Sequence, residues 1–231
     1  MKLKTETLYN YRSLRFSTLT EPRYRHIFLL LFWPIFGLIF DLMETGGLQS
    51  SYHLVHCALD DWIPFCEWFL IPYLFWFVYL VGMLVYTFFY DVPAFRRYMY
   101  FVILSYTATA VIYLIYPTAQ ELRPQSFAHD NLLTRWMAAF YAYDTNTNVC
   151  PSLHVIGSVA VSFSAWNSRR FGRPGWRAGF GVVTALISIS TLFVKQHSAL
   201  DVLWAMPVCA AAIAVVLLAE RKERKRLHGA E

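Results

Sequence analysis

His197 and Asp201 stand four residues apart, at the start of a predicted helix, and so share one face of it. From that position the carboxylate can accept the imidazole N–H. This fixes the tautomer and leaves the lone pair of the other ring nitrogen free. A histidine held in this way is a nucleophile or a general base. Such a pair can also be purely structural, but placing ionisable groups at the edge of a long apolar segment is costly, which favours a function.

A second phrase, Pro151-Ser152-Leu153-His154, opens another apolar segment. Proline is favoured in the first turn of a helix, where its missing N–H is not needed. The unpaired amides of that turn, together with the helix dipole, form an anion site. Ser152 and His154 are two residues apart, but an anion on the helix axis can meet both. The alternative is an ordinary Pro-Ser helix cap with a histidine that takes no part in chemistry.

Arg123 and Lys195 are basic residues predicted to lie on the same membrane face as these two phrases. The guanidinium of Arg123 matches the geometry of phosphate oxygens, and the ammonium of Lys195 is a compact second charge. An imidazole oriented by a carboxylate, together with a hydroxyl and two cations, can supply a nucleophile or general base and hold a bound phosphate. We therefore predict that His197, His154 and Asp201 are catalytic and that Arg123, Ser152 and Lys195 bind phosphate.

The composition places these residues on a membrane protein. The 231 residues are 57% hydrophobic and only 15% charged, and the apolar residues come in long uninterrupted runs. Unpaired backbone amides are not tolerated in lipid, so these runs must be helical. No cleavable signal peptide is expected. The fold prediction is an all-α bundle of six transmembrane helices, at about 27–43, 67–89, 98–116, 152–166, 178–194 and 200–219.

The basic residues predict the orientation of this bundle. Seventeen of the 20 Lys and Arg lie in the N-terminal arm, the second and fourth connections and the C-terminal tail. Cytoplasmic segments collect such residues, so both termini are predicted to be cytoplasmic. The predicted organisation is a basic arm (1–26), a membrane domain (27–219) and a basic tail (220–231). Arg123, Arg135 and Lys195 then remain outside, against the bias, on the same side as both histidines.

In this order the phrases resemble the motifs of the type 2 phosphatidic acid phosphatase superfamily of lipid phosphate phosphatases. That family carries Lys, six residues and Arg-Pro, then Pro-Ser-Gly-His, then Ser-Arg, five residues, His, three residues and Asp. Arg123-Pro124, the phrase at 151–154, and Ser190 with His197 and Asp201 match. Tyr116, Leu153 and Thr191 replace Lys, Gly and Arg, and Lys195 is a candidate to restore one lost charge.

The resemblance implies a mechanism and a class of substrate. His197 would attack phosphorus, Asp201 would orient it, and His154 would protonate the leaving group and then deprotonate water or an alcohol. The substrate would be a lipid phosphate in the bilayer, with no metal, other cofactor or nucleic acid involved. A neutral His197 and a protonated His154 predict a bell-shaped pH profile. The variant phrases are similar to the inositol phosphorylceramide and sphingomyelin synthases, which transfer a phosphoryl-headgroup to an alcohol.

Several alternatives remain open at the level of sequence. His53, His56 and Cys57 have the types of metal ligands, but their spacing is loose. Cys57, Cys66 and Cys150 lie on the predicted outer side, where a disulfide can persist. A non-enzymatic anion transporter would use the same polar cluster, although transport sites usually lie near the midplane. Compact length favours a bacterial cytoplasmic membrane, with the site facing outward, and a lumen-facing enzyme of a eukaryotic membrane is the alternative.

Overall fold

The computed structural model describes residues 9–47 and 49–228, which form a helical bundle. Within that part of the chain the α-helices are α1 Phe32–Thr45, α2 Ala58–Trp62, α3 Leu70–Tyr90, α4 Val92–Ile115, α5 Leu132–Tyr143, α6 Leu153–Trp166, α7 Pro174–Phe193 and α8 Ala199–His228. The 3₁₀ turns Arg25–Leu31 and Glu67–Phe69 lead into α1 and α3. Two-residue strands, β1 at His53–Leu54 and β2 at Thr118–Ala119, pair in parallel. The prediction of an all-α fold is confirmed.

In the described chain, five helical segments are long and apolar enough to cross a membrane. They are Arg25–Thr45, Glu67–Tyr90, Val92–Ile115, Pro174–Phe193 and Ala199–Arg226. Large apolar side chains on them face outward: Val78 is 62% exposed, Val182 66% and Leu203 62%. A continuous apolar exterior of this kind is stable only against hydrocarbon. The chain is therefore an integral membrane protein.

The predicted fourth span corresponds to α6, which is shorter than the others. Its 14 residues rise about 21 Å, less than the roughly 30 Å of a hydrocarbon core. Ten of the 14 are buried, because α6 packs against α3, α4, α7 and α8. Small residues such as Gly157 and Ala160 let the neighbouring backbones approach it. The helix forms as predicted, whereas the sixth crossing stays a prediction.

Helix ends differ from the predicted boundaries where polar residues extend a helix beyond its apolar run. α4 begins at Val92, six residues before the predicted boundary of 98, because Asp91 caps it by accepting from the amide of Ala94 at 3.2 Å. Helix α8 continues to His228, so the basic tail predicted at 220–231 is helical through residue 228. Helices α2 and α5 were not predicted, since both are short and lie outside the long apolar runs.

The connections between helices gather at two ends of the bundle. At one end the segments 144–152 and 194–199 meet, and the hydroxyl of Tyr113 donates to the carbonyl of Pro151 at 2.6 Å. At the other end Arg97 donates to the carbonyl of Asn167 at 3.1 Å and to Glu220 at 2.8 Å. We call these the histidine end and the arginine end.

Candidate active site

His197 lies in the short turn 194–198 between α7 and α8, at the histidine end. The amides of Gln196 and His197 both donate to the carbonyl of Thr191, at 3.0 and 3.2 Å. Lys195 takes a positive φ of 53°, which closes the turn tightly. The His197 side chain is consequently held in one position, and the residue is 7% exposed.

Asp201 orients the His197 ring. His197 Nδ1 lies 3.0 Å from Asp201 Oδ2, which also accepts from the amide of Ser198 at 2.9 Å. Asp201 is fully buried, and in the described structure its Oδ1 has no hydrogen-bond partner. The contact that the four-residue spacing predicted is therefore formed. With Nδ1–H donating to the carboxylate, the lone pair of His197 is at Nε2.

His154, from the first turn of α6, meets His197 although the two are 43 residues apart. Its Nδ1 lies 3.4 Å from His197 Nε2, and the ring centroids are 5.5 Å apart in an edge-to-face arrangement. The rings of Tyr73 and Trp76, on α3, pack against His154 with centroids at 4.5 and 4.3 Å. Within the described residues His154 Nε2, the Tyr73 hydroxyl and Trp76 Nε1 are buried without partners. Unpaired buried polar atoms are costly, and their clustering here is typical of a functional site.

Ser152 caps α6, and the cap ties that helix to α8. Its hydroxyl accepts from the amide of Val155 at 3.5 Å, and its own amide donates to the carbonyl of Asp201 at 3.1 Å. The residue is fully buried. The amides of Leu153 and His154 have no intrahelical acceptor at these first two helical positions. They are unpaired amides at the position where the Pro-Ser phrase predicted an anion site, and the Ser152 hydroxyl is engaged as a cap.

Arg123 is held by protein acceptors through all five of its N–H groups. Its guanidinium donates to Gln196 Oε1 at 3.2 and 2.6 Å, and to the carbonyls of Tyr141, Asp144 and Thr145 at 3.0, 3.0 and 2.7 Å. It also lies 4.7 Å from the centroid of the Tyr141 ring. The predicted phosphate-binding arginine thus clamps the end of α5 to the turn that carries His197.

Lys195, the second predicted phosphate ligand, points to α2. Its Nζ donates to the backbone carbonyl of Asp60 at 2.8 Å. Burial lowers the pKa of Lys195, and the carboxylates of Asp60 and Asp61 partly oppose that effect. A direct contact between Lys195 and phosphate would require this hydrogen bond to be exchanged.

Sequence reasoning missed Asp60, which caps α8 from a distance. It is 2% exposed and accepts from the Ser198 hydroxyl at 2.6 Å, the Ala199 amide at 2.8 Å and the Cys57 amide at 2.9 Å. Burial alone would raise the pKa of Asp60, but these hydrogen bonds outweigh it and hold the pKa below its usual range. The Asp60-Asp61 pair in a loop was the only signal, and it does not reveal a partner 138 residues away.

Gln196, Asp144 and Glu44 were also missed, and they complete the frame of the site. Gln196 Nε2 donates to Asp144 Oδ2 at 3.1 Å. Burial raises the pKa of Asp144, an effect that Arg123 and His197 oppose without reversing. Glu44, at the end of α1, accepts from the amide group of Asn148 at 2.6 Å and so holds the loop before Pro151. Gln196 is uncharged, and Asp144 and Glu44 are acids that stand far apart in the chain without a recognisable spacing.

Tyr116 and Thr191 stand where the resembling motifs have Lys and Arg, and both make contacts without a charge. Tyr116 stacks on His53 with ring centroids 3.9 Å apart, and Thr191 is fully buried. His56 pairs with Asp61 at 2.7 Å, and the described residues contain no group of three or more His, Cys, Asp or Glu that could hold a metal ion. The four cysteines are free thiols. Burial and the Asp201 carboxylate raise the pKa of Cys150 to about 12, so its thiol stays protonated.

The chain matches no protein-family model, and no curated protein or solved structure is similar to it. Fold and site together define a helical integral membrane protein with a His–His–Asp cluster at one end of its bundle. The resemblance to lipid phosphate phosphatases rests on the motif residues themselves.

Proposed function

We propose that this protein is a membrane enzyme that transfers a phosphoryl group from a lipid phosphate through a phosphohistidine at His197. The observation that carries the proposal is the line of side chains His154, His197 and Asp201, joined at 3.4 and 3.0 Å. A carboxylate-oriented imidazole beside a second imidazole is a nucleophile with an acid–base partner.

In the first step Nε2 of His197 forms a bond to phosphorus as the bond from phosphorus to the leaving oxygen breaks. His154 donates a proton to that oxygen, and Asp201 stabilises the ring through Nδ1–H. Phosphorus has to lie beside Nε2 of His197, so substrate must replace the contact that this atom makes with His154 in the unliganded site. The amides at the start of α6 would donate hydrogen bonds to the phosphoryl oxygens and stabilise their negative charge.

In the second step an acceptor oxygen bonds to phosphorus and the N–P bond breaks. His154, now neutral, removes the proton from the acceptor, and both histidines return to their starting state. With water as acceptor the reaction is hydrolysis of a lipid phosphate monoester or pyrophosphate. With a lipid alcohol it is transfer of a phosphoryl-headgroup.

The shortage of uncommitted cations favours transfer as the second candidate function. Arg123 uses all five donors on protein, Lys195 is bonded to Asp60, and Tyr116 and Thr191 stand where charges would be expected. A phosphodiester carries one negative charge and a monoester nearly two at neutral pH, so a site with few free cations suits the diester. Comparing turnover of phosphodiester and phosphomonoester lipids, with and without an added lipid alcohol, separates the two reactions.

The proposed topology has six crossings, with both termini cytoplasmic and the histidine end outside. The distribution of basic residues supports it, because most Lys and Arg belong to connections of the arginine end. The course of α6 also supports it: the helix starts beside His197 and ends where Arg97 bonds Asn167. A short central helix can be accommodated where the surrounding helices are longer and shield it from lipid.

Replacing His197 tests the catalytic proposal directly. The purified H197A protein should elute as a folded species in detergent and show no turnover across a panel of phosphatidic acid, isoprenyl pyrophosphate and phosphodiester lipids. The matched control is H129A, because the His129 side chain is 73% exposed and, among the residues that the structure describes, pairs only with Glu67, at 3.4 Å. Wild type and H129A should yield an acid-labile phosphohistidine when they are incubated with labelled substrate and the reaction is then quenched. Full activity in H197A would falsify the proposal, and solute flux without phosphate release would identify a transporter instead.

A further inference from the structure

A large cavity lies at the arginine end, away from the histidines. It has a volume of about 1090 Å³ and lies between α4 and α8, with Arg169 from the α6–α7 connection at its mouth. Its walls are apolar and include Leu104 and Val215, which are 39% and 49% exposed. The charged residues of the lining are all at one end of it. The cavity therefore has a polar mouth and apolar walls.

Four arginines and three carboxylates line this mouth, which gives a formal charge of +1. Glu220 binds Arg97 at 2.8 Å and lies 3.9 Å from Arg224. The carboxylate of Asp91 accepts from the amides of Ala94 and Arg169, at 3.2 and 3.0 Å. Glu223 is the remaining acid of the lining and is exposed.

Arg96 and Arg169 are the two uncommitted cations of the lining. Among residues 9–47 and 49–228, neither guanidinium has a hydrogen-bond or ion-pair acceptor. Arg96 is half-buried, so leaving it without an acceptor is unfavourable. Arg169 is exposed at the mouth, and its guanidinium together with that of the half-buried Arg96 matches the oxygens of a phosphate.

We infer that this cavity binds an anionic phospholipid from the leaflet at the arginine end. The headgroup phosphate binds Arg96 and Arg169, and the acyl chains lie along the apolar walls that α4 and α8 present. A small inorganic anion would bind the guanidinium groups but would make no contact with the apolar walls. The charge fits a phosphodiester lipid, and the predicted cytoplasmic position of this end places it in a leaflet that is commonly anionic. The inference depends on membrane embedding and is independent of the proposed catalysis.

The test is thermal unfolding of the full-length protein in an uncharged detergent, titrated with phosphatidylglycerol or phosphatidylcholine. Phosphatidylglycerol should stabilise the wild type, because a ligand that binds the folded state raises its stability. In the double variant R96Q/R169Q the half-maximal concentration should rise roughly 30-fold, since each arginine near an anionic headgroup contributes about 1 kcal/mol. Glycerol phosphate, the free phosphate source, should stabilise neither protein.

The matched control is R173Q/R221Q, which removes two exposed arginines that do not line the cavity. It should retain the wild-type response to phosphatidylglycerol. Equal responses of the two double variants, or equal stabilisation by phosphatidylcholine, would overturn the inference. If R96Q/R169Q does not fold, native mass spectrometry of the wild type decides the matter: preferential retention of phosphatidylglycerol supports the site, and equal retention of both lipids rejects it.

Discussion

At the scale of single residues, Arg123 combines the chemistry of a phosphate ligand with the contacts of a clamp. Its five donors connect the carbonyls at the end of α5 to Gln196, the neighbour of His197. A guanidinium is the side chain that can satisfy several acceptors in one plane. Because all five donors are bonded to protein acceptors, Arg123 affects the site by holding Gln196, and with it the turn that carries His197, in place.

This arrangement predicts a stability effect for a conservative change of Arg123. R123K retains the charge but leaves most of the partly buried acceptors unpaired, at about 2 kcal/mol. Thermal unfolding in detergent should show a decrease in Tm of about 5 °C. The matched control R135K, at an exposed pair with Asp130, should change Tm by less than about 1 °C. A direct phosphate ligand would instead show unchanged Tm and a raised KM in R123K.

At the scale of elements, the short helix α2 holds the start of α8. The Asp60 carboxylate accepts three hydrogen bonds, and two of them come from Ser198 and Ala199, directly after His197. A carboxylate at the N-terminus of a helix is stabilised by the helix dipole and by the unpaired amides. Asp60 is therefore a positioning residue for the His197–Asp201 pair.

Replacing Asp60 should reduce stability in a pH-dependent way. D60N loses the charged acceptor and should destabilise the protein by about 1–3 kcal/mol at pH 7. The pKa of Asp60 is lowered in the folded state, so its contribution is complete above the unfolded value of about 4 and is lost as the pH falls through the folded value. The difference in Tm between wild type and D60N should consequently shrink below pH 4.

The control for this change is the neighbouring carboxylate. D61N alters a side chain that is 64% exposed and that, within the described chain, forms an ion pair only with His56, so its Tm should stay close to the wild type throughout the pH range. Equal effects of D60N and D61N would show that the cap on α8 is unimportant. The kcat of D60N should also decrease, because the turn that carries His197 loses its support.

Close packing of α6 against α3 and α4 provides a second test at this scale. A Cβ added at Gly157 would lie 2.7 Å from the Tyr106 hydroxyl and 3.1 Å from the Trp76 ring, so a neighbouring side chain must move. G157A should cost about 1–3 kcal/mol through overpacking. It should lower activity as well, since Trp76 packs against His154. G82A, where an added Cβ meets nothing within 4 Å, should leave Tm and activity unchanged.

At the scale of the whole molecule, α6 decides the topology. The helix is the most enclosed of the bundle and the shortest of the six proposed spans, yet its two ends contact groups at opposite ends of the bundle. If α6 crosses the membrane, residues before and after it lie on opposite sides. If it does not, α7 crosses to the cytoplasmic side and α8 crosses back, so the basic connection after α6 and the basic tail lie outside while the N-terminal arm lies inside.

Single cysteines placed on either side of α6 distinguish these topologies. In intact cells a membrane-impermeant maleimide should label R135C and should label R173C only after permeabilisation. Both positions are exposed and outside the long apolar helices. R15C, on the N-terminal arm, is the control for the cytoplasmic side because its position does not depend on α6, and the native cysteines are replaced in all three proteins. Labelling of R135C and R173C from the same side would exclude the sixth crossing.

The amino-acid sequence by itself determined the membrane class, the all-α fold and the pairing of His197 with Asp201. These properties depend on composition and on contacts between residues close in the chain: long apolar runs must be helical in lipid, and Asp201 in the first turn of α8 contacts His197 in the turn just before that helix. The prediction that Ser152 begins a helix was correct because a helix cap is a local interaction, whereas Pro151 precedes the cap and does not lie in the first turn as predicted.

Only the tertiary structure decided which distant side chains share the site. The contact between His154 and His197, the cap that Asp60 places on α8 and the clamp formed by Arg123 join residues that are 43, 138 and 73 apart in the chain. Such contacts depend on how whole helices pack, and the sequence around a donor does not predict which distant acceptor it will bond. For this reason the types of the reactive residues were readable in advance, whereas the partners of the cations were not.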